Sequence, residues 1–166
     1  DSWWGNGREY GLALICGAVS GNLEMLELEG RVFKSSTNML AVIKLGMQVA
    51  DIGDVWDLLN GPGGYLETSP SGGLHLLYRI SDHPVPGNTK IAQDGERHVL
   101  AETRGEGGYV ITAPTSGLCH PSGEPWQLIV GEYGHLPTIT WALRELLHQV
   151  LHEVLDCSPA SESAIA

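Results

Sequence analysis

Hydrophobic positions along this chain fall into two kinds of run, one repeating every second residue and one every third or fourth. Residues 11–16 (GLALIC) form a short apolar run bounded by glycines and predict a buried strand. Residues 23–29 (LEMLELE) alternate in their second half, which predicts a half-exposed strand ending at Gly30. Met39, Leu40, Ile43 and Met47 then keep helical spacing, so a helix is expected over 35–50 with Ser35, Ser36 or Thr37 as N-cap. A second short helix is expected over 54–59, capped by Asp51 or Asp54 and stopped by Gly61-Pro62.

Residues 63–73 are rich in turn formers and deliver the chain into residues 75–80 (HLLYRI), a strand by composition. Two prolines and a glycine make 81–88 a loop. Residues 99–103 and 109–113 read as two strands joined by the glycine-rich turn RGEGG. The chain then looks irregular, apart from a short strand near 126–130. Trp141, Leu143, Leu146, Leu147, Val150, Leu151, Val154 and Leu155 finally make one apolar helical face, with Thr138 or Thr140 capping its start. Strands interrupted by helices and closed by a C-terminal amphipathic helix predict an α+β domain, with a mainly antiparallel or mixed sheet and flanking helices.

The net charge of −11 changes this picture on the functional side. A protein that grips nucleic acid by electrostatics alone must displace counterions from phosphates and is usually basic. Any nucleic-acid role here must rest on a local basic surface, on metal ions, or on a neighbouring domain. Four of the nine basic residues fall between Arg79 and Arg104. Cys16, Cys119 and Cys157 have no paired spacing, which argues against a zinc knuckle or disulfide framework and favours a reducing compartment. No apolar run reaches the roughly 20 residues of a membrane span, and no signal peptide is visible, so a cytoplasmic location is expected. The absence of a GxxxxGK[ST] sequence removes support for an ATPase.

Three places carry candidate chemistry. Glu27 and Glu29 lie two apart in a strand, so they share a face at about 6.6 Å. They repel unless a cation sits between them, and a hard cation such as Mg²⁺ favours that arrangement; the same pattern also fits an ordinary half-buried strand. Next, Ser69-Pro-Ser-Gly-Gly-Leu-His75 places two glycines before a histidine. Amides there can approach an anion, with His75 donating to phosphates; a satisfied histidine at a strand start is the plainer alternative. Third, Glu102 sits inside an apolar strand pattern and needs a partner, either a metal shared with Glu27 and Glu29 or an ion pair with Arg104.

Together, LELEG, SGGLHLLYR and AETRGEGGYVITAPTS, in this order and with the lead-in CGAVSG at 16–21, resemble the primase-polymerase domain of the archaeo-eukaryotic primase superfamily, common in phage and plasmid replication proteins. The similarity runs from about Trp3 to Trp126. It implies an RRM-like palm in which Glu27, Glu29 and Glu102 are the catalytic, metal-binding acids for Mg²⁺ or Mn²⁺. His75 matches the nucleotide-binding histidine, preceded by the turn residues Ser71, Gly72 and Gly73. Tyr78, Arg79, Lys90 and Arg104 are looser matches to pocket residues. The family usually carries aspartate at one or more of the acidic positions, whereas all three here are glutamate.

The resemblance further implies template-directed nucleotidyl transfer from a (d)NTP to a 3′-hydroxyl on a single-stranded or primed DNA template, without membrane involvement. A fused or associated helicase and, for a phage protein, the bacterial cytoplasm complete the setting it implies. Residues 1–156 are expected to be the catalytic domain, short of an N-terminal portion, and 157–166 a tail or linker. Three other readings remain: a nucleotide- or single-strand-binding module without catalysis, a docking domain using the last helix, and a rolling-circle endonuclease. The last needs His-x-His and a nucleophilic tyrosine, and His75 is followed by Leu76 and Leu77.

Overall fold

A computed structural model describes residues 9–35 and 38–159. Strands β1 (Leu12–Ile15) and β2 (Leu23–Leu28) precede three helices, α1 (Gly30–Ser35), α2 (Met39–Val49) and α3 (Gly53–Asn60). Strands β3 (Leu66–Thr68), β4 (Leu74–Ile80), β5 (Thr89–Gln93), β6 (Val99–Arg104), β7 (Tyr109–Thr112), β8 (Gln127–Val130) and β9 (Thr138–Ile139) follow, and α4 (Trp141–Leu155) closes the fold. The main sheet has the order β5-β6-β2-β4-β3-β8, all antiparallel, with β9 added in parallel beside β4. Strands β1 and β7 form a separate antiparallel ribbon. The protein is α+β, as the pattern predicts, and no helix among the described residues is long and apolar enough to cross a membrane.

Alternation in β2 and β4 sorts their side chains between two layers. Leu26, Leu28, Leu76, Tyr78 and Ile80 meet Ile43 and Met47 of α2, Trp56 and Leu59 of α3, and Leu147 and Leu151 of α4 in the main core. On the opposite face Leu23, Met25 and Leu77 pack with Cys16, Tyr65 and Val110 in a smaller cluster. Burial pushes the Cys16 thiol up to a pKa of about 11, so it behaves as an inert apolar side chain.

Several expectations are reversed. The 11–16 run is not a buried strand: β1 lies in the outer ribbon, where Ile15 is 59% exposed, and only Cys16 at its end is fully buried. The strand expected to be half exposed, β2, is the central one and is buried along nearly its whole length. How many layers cover a strand is a tertiary property that a six-residue hydropathy run does not encode. Strands β6 and β7 do not pair with each other; their glycine-rich turn carries the chain from the main sheet to the ribbon. The helix expected over 35–50 is α2, which starts after Asn38; α1 is an unexpected addition, Ser35 ends it rather than capping α2, and Ser36 and Thr37 lie outside the described residues. Helix α3 has Ile52 at its N-cap position rather than Asp51 or Asp54.

The expected start of α4 is correct: Thr140 is the N-cap and its hydroxyl accepts from the Leu143 amide. The helix packs against α2, β5 and β6, so it belongs to the core rather than to a docking surface. Leu146, however, is partly exposed, and Arg144 takes a buried place on the helix. Arg144 Nε and Nη2 donate to the two carboxylate oxygens of fully buried Glu24 at 2.8 and 2.7 Å, and Tyr78 donates to Oε2 at 2.8 Å. This fork-to-fork pairing compensates two charges that burial would otherwise strongly disfavour. It also removes Tyr78 from the set of pocket residues, because its ring points into the helix layer. Replacing Arg144 by leucine is expected to cost about 3–5 kcal/mol by stranding the Glu24 charge. The Glu24→Leu/Arg144→Leu pair should recover most of that loss in urea unfolding.

Candidate active site

The register of the sheet lines up one row of polar side chains across five strands. Lys90 of β5 stands opposite Glu102 of β6, Glu102 opposite Glu27 of β2, Glu27 opposite His75 of β4, and His75 opposite Glu67 of β3. Glu29 lies just past the end of β2, where its amide still donates to Leu100 of β6. Directly opposed residues in neighbouring strands have side chains within contact distance. The result is that ligand oxygens of Glu27, Glu29 and Glu102 all lie within 4.8 Å of one another. Arg104 also donates to Oε1 of Glu102, so the ion pair considered for that acid from the sequence forms beside the acidic cluster.

The turn before His75 is a hairpin loop joining β3 to β4. Gly72 donates to the Ser69 carbonyl and Gly73 to the Ser69 hydroxyl, which also meets the Ser71 hydroxyl at 2.9 Å. These amides are therefore engaged within the turn. The glycines serve its shape: Gly72 has φ of +82°, and a Cβ on Gly30 would lie 2.1 Å from the Ser71 carbonyl. The glycine after LELE thus lets the β3–β4 loop close over the end of β2, beside the carboxylates.

Electrostatics at this face are unresolved by protein groups alone. Burial and the neighbouring Glu27 charge push the Glu29 carboxyl above its ordinary pKa, although Arg31 opposes this. Burial likewise raises Glu102, against the pull of Arg104 and with a further push from Glu27. For His75 burial acts downward, but hydrogen bonds and charge from Glu27 and Glu67 outweigh it and hold the imidazole at about 9. Its Nε2 lies 3.4 Å from Oε1 of Glu27 and its Nδ1 2.8 Å from Oε1 of Glu67.

A cavity of about 450 Å³ opens over this row. Glu27, Ser71, His75 and Arg104 line it, joined by Asn88, Tyr109, His120 and Trp126. Lys90 stands at the Glu102 end of the row. Arg79 does not reach the cavity: it shares the face of His75 but lies four residues along the strand, roughly 13 Å away, and donates to the carbonyls of Ser20 and Gly21. A guanidinium used to close a local turn is not free for a substrate.

The profile of the Prim-Pol family, described as bifunctional DNA primase/polymerase, N-terminal, matches residues 1–139. This chain belongs to the Prim-Pol family. A comparison with individual curated proteins finds no match. Membership implies primase/polymerase-type nucleotidyl transfer in DNA replication, with nucleotide and DNA as substrates. Prim-Pol domains typically use divalent metal ions, and the donor set here suits a hard cation: three carboxylates, close together, two of them with pKa values raised by burial and mutual repulsion.

Sequence reasoning missed Glu67, His120 and Trp126. Glu67 is fully buried on β3, a three-residue strand hidden in what reads as a turn-rich stretch. Nothing local marks it: Tyr65, Leu66, Glu67 and Thr68 are two apolar residues followed by two polar ones, too short a run to stand apart from a loop. His120 and Trp126 meet edge to face at 5.7 Å in a segment with no hydrophobic period to flag it.

Folded-state pKa values above the ordinary carboxylate value mean that Glu29 and Glu102 lower stability as pH rises past that value, because the unfolded chain releases its protons first. Glu29→Gln should therefore raise the melting temperature of the metal-free Prim-Pol domain at pH 7. The same change should abolish the further rise that millimolar Mn²⁺ gives the wild type, both read by thermal denaturation with and without chelator.

Proposed function

We propose that this domain is a template-directed nucleotidyltransferase, joining a (d)NTP to the 3′-hydroxyl of a primer or starting nucleotide in phage or plasmid replication. The observation that carries the proposal is the meeting of Glu27, Glu29 and Glu102, with Glu27 and His75 lining one cavity. Glu27, Glu29 and Glu102 would hold Mg²⁺ or Mn²⁺, and ions bound there supply the Lewis acidity that activates the hydroxyl and neutralises the leaving pyrophosphate.

The chain's own residues bind and orient. His75 projects from β4 with its ring fixed between two carboxylates, and its Nε2 side is the one that meets a triphosphate lying along the β3–β4 loop. Ser71, held near that loop's apex by the Ser69 hydroxyl, adds a hydroxyl donor. Arg104 contributes positive charge from β6 while restraining Glu102. Little covalent work is left for these groups; positioning and charge compensation carry the reaction. Overall acidity is compatible with DNA chemistry here, because ions in the site reverse the local charge.

A templated incorporation assay, with and without primer and in Mg²⁺ or Mn²⁺, is the direct test. Glu27→Gln/Glu29→Gln is expected to reduce incorporation to background while leaving the circular dichroism spectrum intact. His75→Ala should lower it by about 10²–10³-fold, the scale for removing one preorganised donor to developing charge. Nucleotide binding that needs no metal, with no incorporation by the wild type, would leave a non-catalytic binding module instead.

A further inference from the structure

We infer that Glu67 is a positioning residue for nucleotide binding, acting through His75: it holds the imidazole so that Nε2 is the ring atom presented to the triphosphate. The inference rests on the nucleotidyltransferase reading above and adds a residue to that site. Glu67 contributes no oxygen to the acidic cluster and does not line the cavity. It stands behind the histidine, opposite it in register on β3.

Every contact of Glu67 supports this placement. Oε1 faces His75 Nδ1 at 2.8 Å. Oε2 accepts from the Tyr65 hydroxyl at 2.7 Å and from the Ala113 amide at 2.9 Å. With one oxygen locked by two donors, the carboxylate cannot turn, and its other oxygen remains aimed at the histidine. The lock is itself braced. Tyr65 packs on Tyr133, ring centroids 5.3 Å apart, and the Tyr133 hydroxyl bonds to Thr112 Oγ1 at 2.7 Å and to the Ala113 carbonyl.

A purely structural role explains this less well. Position 67 is fully buried beneath the ribbon, where an apolar residue would fill the space without desolvating a charge. A carboxylate there needs the three donors it has, and one of them is the side chain that faces the substrate cavity. An acceptor on one ring nitrogen fixes the orientation of the ring and leaves the N–H of the other nitrogen for the ligand. Remove it, and the longer Glu27 contact at 3.4 Å is left to hold the His75 ring against a flip about χ2.

The test is a double-mutant cycle in the full chain, reading the KM for dNTP and kcat in templated extension, with dATP binding measured directly. Glu67→Gln preserves volume and should raise the KM by about 10–100-fold, the range for losing a group that orients a ligand-binding histidine. The kcat should fall no more than a few-fold, and the Mn²⁺-induced rise in melting temperature should persist. In a His75→Ala background Glu67→Gln should have no further effect on either parameter. Tyr65→Phe, which removes one brace without touching charge, should show the same pattern more weakly and serves if Glu67→Gln does not fold. Additive effects of the two substitutions, or a wild-type KM in both Glu67→Gln and Tyr65→Phe, would overturn the positioning role while leaving the active site intact. A wild type with neither extension nor dATP binding would instead remove the parent reading and this one with it.

Discussion

Charge compensation on the two faces of β2 is the constraint around which this domain is organised. Glu24 points into the helix layer and is neutralised there by Arg144, in a geometry that satisfies both carboxylate oxygens. Glu27 and Glu29 point the other way, onto a face where His75 lies 3.4 Å from Glu27 and the Arg31 and His75 charges act on Glu29. One residue of register slip would exchange these environments, burying two acids among leucines and turning Glu24 outward. The pairing of β2 with β4 and β6 is thereby specified by electrostatics as well as by the hydrophobic core.

The same arrangement separates stability from function. The helix layer packs on Leu26, Leu28, Leu76 and Tyr78 and closes the buried Glu24–Arg144 pair internally. The opposite face gathers three carboxylates within 4.8 Å of one another, with Glu27 lining a cavity. Their mutual repulsion costs stability, a common feature of sites that are completed by a ligand. Because Glu27, Glu102 and His75 sit on paired strands, their spacing is set by sheet geometry rather than by loop conformation, which is the more exact support for a site of this kind.

The sequence exposed much of this face and almost none of its support. Glu27, Glu29, Glu102 and His75 were legible because each stands out locally: two acids at strand spacing, an acid in an apolar run, a histidine after paired glycines. Arg104 and Lys90 were legible only as neighbours of those signals. Glu67 was not, because nothing local distinguishes a buried glutamate on a three-residue strand from one in a loop. Tyr78 and Arg79 show the converse. Both lie in a motif that points to the site, yet strand alternation sends Tyr78 to Glu24, and distance along the strand leaves Arg79 to close the turn at Ser20 and Gly21.

What the sequence by itself determined, then, was the type of those elements with a clear period, the sides on which the strand acids fall, and the order of motifs that marks the Prim-Pol family. These are local properties, written in periods of two and about 3.6 residues and in the conformational freedom of a few glycines. Tertiary structure alone decided that β2 is central and β1 peripheral, that β6 and β7 part company, and that Arg144 and Glu67 find their partners. Most of those outcomes join residues distant in the chain, 120 positions apart for Glu24 and Arg144 and 46 for Glu67 and Ala113. Pairings at that range are selected by the free energy of the whole fold, and no short window of sequence contains them.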